Sequence, residues 1–208
     1  MNRVVIPEIL DSLDPSNPDA IRSRRDLTMI NRLMGGQAWL AKEVGQLDGV
    51  HRVVELGAGD GMLCNQLKSM RPNCEVIAID LIPKPAGVRD DVVWEQMNVL
   101  DYEGFDSGTV VIANLFIHHL QKDELRILGS KLKLAKMLLF TEPHRTALAL
   151  CMGRCLFPIV NYVTRHDMIT SIRAGFVRGE MGELFGEGFR WQEKIGLLGG
   201  IRMTGGRE

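Results

Sequence analysis

A glycine-rich loop with two acids is the part of this sequence whose residue types and spacing most directly suggest chemistry. It reads E-L-G-A-G-D-G over residues 55–61 and follows two valines. Glycines adopt positive φ angles readily and let a ligand approach the main chain, and the amides that open the following helix face the same crevice. The acids disfavour a phosphate ligand, because like charges repel. The loop therefore predicts a site for a nucleoside with a cationic or zwitterionic tail.

The spacing of the glycines separates this loop from the dinucleotide fingerprint. That fingerprint is G-x-G-x-x-G, and its third glycine would fall at position 62, where this chain has methionine. The spacing here is G-x-G-x-G instead, with Asp60 between the last two glycines. The pattern favours S-adenosylmethionine, whose tail is zwitterionic, over NAD. A glycine turn without a ligand is the other interpretation.

Asp80 closes the apolar run of residues 76–79 and is a candidate ligand for a ribose. Its two carboxylate oxygens can accept hydrogen bonds from both ribose hydroxyls of an adenosine. It follows the glycine loop by about twenty residues, a spacing that suits a dinucleotide as well. Asp80 therefore predicts a nucleoside without deciding between S-adenosylmethionine and NAD.

Histidines are the candidate catalytic residues. If the nucleoside is S-adenosylmethionine, the expected reaction is methyl transfer from its sulfonium, which mainly needs an aligned nucleophile because the leaving group departs neutral. A phenol or enol acceptor also benefits from a general base, and a histidine with its ordinary pKa of about 6.5 suits that role. Adjacent residues on a turn diverge, so one at most of a neighbouring pair should face the cavity. We expect at least one of four histidines to act on the acceptor: His118, His119, His144 and His166.

Arginines and cysteines provide further candidates near the end of the chain. Three arginines could hold a carboxylate or phenolate of the substrate, or could be solvated charges: Arg145, Arg165 and Arg173. Cys151 and Cys155 are spaced to share one face of a helix. Two thiols do not complete a zinc site, which takes four ligands, so the sequence predicts no metal site.

Strand and helix patterns alternate strictly along the part of the chain that must position these groups. This alternation predicts a parallel sheet. The strands are continuous apolar runs, as in a sheet covered on both faces. They are predicted at 52–56, 75–80, 92–94, 109–114 and 136–142. Helices are predicted at 19–34, 37–47, 61–70, 122–134 and 177–185, after a leader without an element at 1–15. Runs at 191–198 and 201–204 flank two glycines and predict an antiparallel hairpin.

These elements predict one α/β domain with a Rossmann-like, seven-stranded, mostly parallel sheet. A C-terminal antiparallel hairpin, a helical N-terminal cap and a helical insert after the fifth strand complete it. The expected parts are a cap at 1–48, a nucleoside-binding core at 49–144, an insert or lid at 145–176, and a helix and hairpin at 177–208. Ligands of such sheets bind beyond the carboxyl ends of the strands.

The E-L-G-A-G-D-G run and the terminal hairpin resemble those of class I S-adenosylmethionine-dependent methyltransferases. The L-F-x-H-H-L pattern at 115–120 is similar to that of enzymes acting on small molecules, including small bacterial methyltransferases of polyketide and quinone biosynthesis. The resemblance implies S-adenosylmethionine as donor and S-adenosylhomocysteine as product. It assigns to the cofactor site Glu55, Gly57, Ala58, Gly59, Asp60, Asp80, Leu81, Met97, Asn98, Val99, Asn114 and Leu115.

Residues 97–99 match the positions that bind the adenine in the resembling family. The resemblance implies that Asn98 meets the adenine amino group, that the amide of Val99 meets a ring nitrogen, and that Met97 lies on the purine face. Many members carry aspartate where this chain has Asn98. An amide carbonyl accepts the same hydrogen bond, so the departure weakens the match only slightly.

The sequence thus predicts a methyltransferase acting on oxygen, less favourably on carbon, of a small hydrophobic phenol-, quinone- or polyketide-like acceptor. One alternative is a nucleoside-binding scaffold or regulatory protein of the same fold that does not catalyse. Another is an NAD-dependent oxidoreductase. The missing third glycine disfavours the oxidoreductase, as does the lack of a Tyr-x-x-x-Lys pair, since His166 stands four residues after Tyr162.

Composition limits the partners and the compartment. The formal net charge of −1 gives no electrostatic reason to expect nucleic acid. The four cysteines show no paired framework and the chain opens without a signal peptide, which predicts a cytoplasmic protein. The apolar run at 146–163 is interrupted by Arg154, which is costly inside a bilayer, so no transmembrane segment is expected. A membrane-surface contact and a homodimer stay open, and a small-molecule substrate is the expected partner.

Overall fold

A seven-stranded mixed sheet forms the centre of the computed structural model, which describes residues 1–207. The strand order is β3-β2-β1-β4-β5-β7-β6. Strands β1 to β5 pair in parallel, and β7 pairs antiparallel with both β5 and β6. The strands are β1 Arg52–Leu56, β2 Glu75–Asp80, β3 Val93–Gln96, β4 Thr109–Asn114, β5 Met137–Pro143, β6 Phe189–Ile195 and β7 Gly200–Arg207. This architecture confirms the predicted fold class.

Eight α-helices and one 3₁₀ turn are found within residues 1–207. Residues 9–12 form a short helix where the sequence predicted none, because the Asp167 carboxylate accepts the first two amides of that helix at 2.8 and 3.0 Å. The 3₁₀ turn, Ile117–His119, directly follows β4. The helices are α1 Ile9–Ser12, α2 Pro18–Met34, α3 Gly36–Gln46, α4 Met62–Met70, α5 Lys122–Leu132, α6 Ala147–Cys155, α7 Tyr162–Ala174 and α8 Glu180–Phe185.

Two apolar clusters cover the two faces of the sheet and explain why its strands are continuous apolar runs. Successive residues of a strand point to opposite faces, so Val54 belongs to one cluster and Val53 to the other. Residues of α5 and α8 complete the first cluster, and residues of α3 and α4 complete the second. Burial on both faces therefore fixes the register and the position of each strand end.

A third apolar cluster joins the N-terminal cap to the insert after β5. Ile30 of α2 packs with Leu150 of α6 and with Met168 and Ile172 of α7. Helix α2 begins at Asn17, whose side chain accepts the Asp19 amide at 2.8 Å. It ends at Gly35, whose φ of 66° is readily adopted only by glycine. Within residues 1–207, no helix is both long enough and apolar enough to cross a bilayer.

We predict that Gly129→Ala destabilises the protein although alanine favours helices. A β-carbon at Gly129 of α5 would lie 2.6 Å from the Phe185 carbonyl oxygen of α8. Overpacking of this kind costs about 1–3 kcal/mol, which outweighs the helix propensity gained, about 1 kcal/mol at most. Urea unfolding checks the prediction, with Gly182→Ala as the control.

The control glycine lies in α8 and meets no atom closer than 3.9 Å with an added β-carbon. Gly182→Ala should leave the free energy of unfolding unchanged or raise it. Equal unfolding midpoints for the two variants would show that α5 and α8 do not pack as described.

Candidate functional site

The carboxyl ends of the parallel strands bring the predicted residues to one edge of the sheet. Leu56 at the end of β1 pairs with Ile79 of β2 on one side and with Ala113 of β4 on the other. Asn114 at the end of β4 pairs with Thr141 of β5. The glycine loop, Asp80 and the segment after Asn114 are therefore neighbours, although they are far apart in sequence.

The glycine loop has the left-handed geometry that its sequence predicts. The φ angles of Gly57, Gly59 and Gly61 are 65°, 57° and 69°. A β-carbon at Gly57 would lie 2.0 Å from the ring of Phe116, whereas one at Gly59 would meet no atom within 4 Å. Gly57 is therefore needed for close packing. Gly59 borders open space, where a ligand could approach the main chain.

The Asp80 carboxylate is directed at this loop. Its Oδ2 accepts the Gly59 amide at 2.7 Å, and its Oδ1 accepts the Ile82 amide at 3.2 Å. The side chain is half-buried at the end of β2. This position is the one that a ribose-binding acid at the strand end requires.

Residues 97–99 lie beside Asp80 after β3. The Met97 amide donates to the Asp80 carbonyl at 3.0 Å, and the Met97 side chain packs against the first apolar cluster. Asn98 is exposed, and its Oδ1 accepts the Leu100 amide at 2.9 Å. Val99 is buried, while Leu81 is 70% exposed at the opening of the crevice.

Glu55 is a buried acid beneath the glycine loop. Burial raises the pKa of its carboxyl to about 8, and the nearby charges of Asp60 and Asp80 act in the same direction. The Cys64 thiol donates to Glu55 Oε2 at 2.8 Å, and burial raises the pKa of that thiol as well. A cation bound in the crevice would favour the ionised carboxylate. Asp60 and Asp80, joined by Glu55 once a cation is bound, thus create an electrostatic preference for a positively charged ligand.

The segment after β4 is strained at the edge of the crevice. Leu115 has a φ of 54° and is the one non-glycine residue with a positive φ in the described part of the chain. Such strain, about 1–3 kcal/mol, is common at functional sites. The Leu115 amide donates to the Thr141 carbonyl at 2.8 Å, and Asn114 Oδ1 accepts the Thr141 hydroxyl at 2.7 Å. These contacts to β5 hold the strained turn in place.

An open cleft adjoins this segment, with an enclosed volume of about 20 Å³ that becomes about 310 Å³ when the space open to solvent is included. Helix α2, the β4 and β5 ends and the hairpin turn surround it, and no histidine is among its lining residues within the described chain. Its walls combine apolar and polar groups, including Met34, Leu198, Asn31, Thr141 and Arg202. The buried Oδ1 of Asn31 has no hydrogen-bond partner within residues 1–207. A ligand donor in the cleft would satisfy that oxygen.

His118 lies inside the protein between two acids. Its Nδ1 is 2.6 Å from Glu142 Oε2, and its Nε2 is 3.8 Å from Glu8 Oε1. Burial alone would lower the pKa of His118, but the charges of Glu142 and Glu8 outweigh it and raise the pKa to about 9. His119 stacks on this ring at 4.3 Å, and burial, helped by the charge of His118, lowers its pKa.

The other two candidate histidines lie apart from this pair. His144 is half-buried after β5, and its amide donates to the Gly199 carbonyl at 2.8 Å. Burial lowers the pKa of His144, and Arg178 acts in the same direction. His166 is exposed on α7, with Nδ1 2.9 Å from Asp167 Oδ1. The structure therefore does not bring the four histidines to one place.

The three arginines predicted to hold substrate do not converge. Arg145 is buried, and its Nη2 meets both carboxylate oxygens of Glu180 at 2.6 and 2.7 Å. Its other guanidinium nitrogens donate to the carbonyls of Gly175 and Met1. This ion pair occupies the group, so the prediction of a substrate role for Arg145 is not supported. Arg165 and Arg173 are exposed on α7.

Sequence reasoning did not select Asn31, Arg202, Glu142 or Glu8. Asn31 stands more than 20 residues before the glycine loop, and Arg202 belongs to the C-terminal hairpin. No local sequence pattern marks either residue. Glu142 could have been selected from the sequence, because it is an acid at the end of an apolar strand, as Asp80 is. Its buried carboxylate accepts the amides of Phe116 and Ile117 at 3.0 and 2.8 Å.

We predict that Glu55→Gln removes a pH dependence of stability. The folded-state pKa of about 8 lies above the value of an exposed glutamate, so the unfolded chain ionises first as pH rises. The wild type should therefore lose stability relative to the variant between about pH 5 and 8, by at most about 1.4 kcal/mol per pH unit. Urea unfolding at several pH values measures this, with exposed Glu187→Gln as control. Parallel profiles for wild type and Glu55→Gln would contradict the prediction.

Comparison with known proteins gives matches in structure and none in sequence. The chain matches no protein-family model and no curated protein. The plantazolicin methyltransferase BpumL, solved with a desmethylPZN analog and SAH, superposes with a TM-score of 0.70 at 10% identity, over 93% of this chain and 92% of BpumL.

Two larger proteins contain a similar region. The pyocyanin biosynthetic protein PhzM matches with a TM-score of 0.64 at 15% identity, over 97% of this chain and 62% of PhzM. Human N-acetylserotonin methyltransferase, solved with SAM, matches with a TM-score of 0.57 at 14% identity, over 95% of this chain and 61% of that enzyme. The chain thus has the fold of S-adenosylmethionine-dependent methyltransferases.

Proposed function

We propose that this protein is an S-adenosylmethionine-dependent methyltransferase that modifies an oxygen atom, less favourably a carbon atom, of a small hydrophobic acceptor. The observation that carries the proposal is the acidic crevice at the carboxyl ends of β1, β2 and β4. It combines an open glycine loop, a strand-end carboxylate and a strained turn, on a fold shared with methyltransferases solved with SAM or SAH.

In the proposed donor complex, Asp80 accepts the ribose hydroxyls, and the loop of Gly57, Ala58 and Gly59 lies against the nucleoside. Residues 97–99 and Leu81 border the adenine. Glu55 and Asp60 favour the positive charge of the sulfonium and ammonium groups. Asn114 and Leu115 lie next to the cleft, so the transferable methyl group would point toward the acceptor.

The cleft beside Asn114 is proposed to hold the acceptor. Methyl transfer forms a bond from the acceptor oxygen to the methyl carbon as the carbon–sulfur bond breaks, giving S-adenosylhomocysteine, the methyl ether and a proton. The apolar side chains of Met34 and Leu198 favour an apolar acceptor. The guanidinium of Arg202 and the oxygen of Asn31 can bind a phenolate and a hydroxyl. These side chains support a phenol-like acceptor.

No histidine lines the cleft within residues 1–207. This supports the alignment of donor and acceptor as the main source of the rate of methyl transfer. Of the four candidate histidines, we propose His144 as the base, because its amide bonds to Gly199, which stands between two residues that line the cleft, Leu198 and Gly200. Its lowered pKa favours the neutral imidazole that a base requires.

Donor binding can be tested by calorimetric titration with S-adenosylmethionine, S-adenosylhomocysteine and NAD in parallel. We expect micromolar binding of the two sulfur nucleosides and none of NAD. Binding of NAD alone would overturn the proposal in favour of an oxidoreductase. Nucleoside binding without methyl transfer to any phenol, quinone or polyketide in a screen would favour the scaffold alternative.

We predict that Asp80→Asn weakens S-adenosylhomocysteine binding by about ten- to a hundredfold, because hydrogen bonds to a charged group contribute about 1.5–3 kcal/mol. Calorimetry measures the change. Asp48→Asn is the matched control, since exposed Asp48 precedes β1 at the opposite end of the sheet. Unchanged affinity in Asp80→Asn would exclude the proposed ribose contact.

We predict that His144→Gln lowers kcat for a phenolic acceptor by about a hundredfold if the acceptor binds un-ionised, as expected for loss of a general base. His166→Gln, which changes an exposed histidine on α7, should leave kcat unchanged. The rate of S-adenosylhomocysteine release across pH measures both. Equal pH–rate profiles for His144→Gln and wild type would leave positioning alone as the source of rate.

A further inference from the structure

We propose that Glu8, His118 and His119 bind one divalent transition-metal ion at a site separate from the donor crevice and the acceptor cleft. Each of these residues offers a ligand atom, and the three atoms lie within 4.8 Å of one another. Glu8 directly precedes α1, while the two histidines belong to the 3₁₀ turn after β4. The fold therefore brings together donors from distant parts of the chain.

The Nε2 atom of His118 is the observation that points to a ligand. The side chain is 3% exposed, and Nε2 is buried without a hydrogen-bond partner within residues 1–207. The facing oxygen is Glu8 Oε1 at 3.8 Å, which is too far for a hydrogen bond. Buried polar atoms without partners are rare. An ion between these two atoms would give Nε2 a partner and would bind Glu8 Oε1, which already accepts the Ser171 hydroxyl.

The spacing of these two atoms suits a metal better than direct contact. Zinc bonds to imidazole nitrogen and carboxylate oxygen are about 2.0–2.2 Å long, which places two such donors about 3.3 Å apart at a tetrahedral angle. The observed 3.8 Å is about half an ångström longer. A small inward movement of Glu8 would bring these two atoms to that spacing.

Glu142 provides the outer support that metal-binding histidines usually have. Its Oε2 lies 2.6 Å from Nδ1 of His118, so Nδ1–H donates to the carboxylate and Nε2 faces Glu8. A carboxylate that orients a metal-bound histidine in this way is the usual arrangement around zinc. The same carboxylate is fixed by the amides of Phe116 and Ile117, so the ring of His118 is held ready for a ligand.

Two imidazoles and one carboxylate form a donor set typical of zinc and of other late first-row divalent ions. Water would take the remaining position. Binding displaces the proton from the ring nitrogens that coordinate the ion. The ion would tie the N-terminal segment to the turn after β4, where Arg3 already donates to the His118 and Leu120 carbonyls at 3.0 and 2.8 Å.

The test is a titration of metal-free protein with Co²⁺ and Zn²⁺ in a Cys151→Ser/Cys155→Ser background. Both thiols are exposed and four residues apart on α6, so they could bind these ions themselves. We expect one ion per chain, read by calorimetry and by the visible absorption of Co²⁺, with nitrogen and oxygen ligands. Glu8→Gln and His119→Ala should each weaken binding at least tenfold, while exposed His51→Ala should not.

A Glu142→Gln variant tests the supporting role, and a loss of ten- to a hundredfold in metal affinity is expected. X-ray absorption of the Co²⁺-bound parent protein counts the imidazole ligands. It therefore shows whether two histidines bind the ion even where a variant misfolds. No saturable binding by the parent, or affinity unchanged in both Glu8→Gln and His119→Ala, would overturn the proposal. These readouts do not depend on nucleoside binding, so this inference and the proposed methyl transfer fail independently.

Discussion

The buried carboxylate of Glu142 is the contact on which the edge of the sheet depends. It accepts three consecutive main-chain amides, of Phe116, Ile117 and His118, and faces the ring of His118. A buried carboxylate without partners would be very costly, so the turn after β4 must fold around it. That turn presses the Phe116 ring against Gly57 and holds Leu115 in its strained conformation. The shape of the donor crevice therefore follows from one acid at the end of β5.

Charge explains why the crevice would suit a cationic ligand such as the proposed sulfonium donor. Glu55, Asp60 and Asp80 lie close enough for the charges of the last two to act on the first. A phosphate would add to this repulsion, whereas a positively charged donor relieves it. In the proposed methyl transfer the product has lost the sulfonium charge, so the same acids would hold the product less strongly than the donor. Electrostatics would thus favour both donor binding and product release in the proposed reaction.

The sequence was sufficient for the elements that repeat a simple physical pattern. Continuous apolar strands, glycine spacing and strand-end acids are local signals, and β1 and β2 have the predicted bounds. Contacts between distant side chains leave no such signal. The pairing of Arg145 with Glu180, the approach of Glu8 to His118 and the position of Asn31 in the cleft all depend on tertiary packing. For that reason the sequence could predict only a substrate role for Arg145, and it did not identify Glu8 or Asn31.

The bend at Gly35 and Gly36 has a consequence for how proteins of this shape can diverge. A β-carbon at Gly36 would lie 2.7 Å from Asn114 Oδ1 and 2.8 Å from Thr141 Oγ1, so the start of α3 is tightly fixed against the sheet. Helix α2, on the other side of the bend, supplies Asn31 and Met34 to the cleft. Changes along α2 can then remodel the cleft while the nucleoside crevice stays intact. The side of α2 that faces the cleft is therefore less constrained than the start of α3, which makes it a natural region for directed evolution of the proposed acceptor preference.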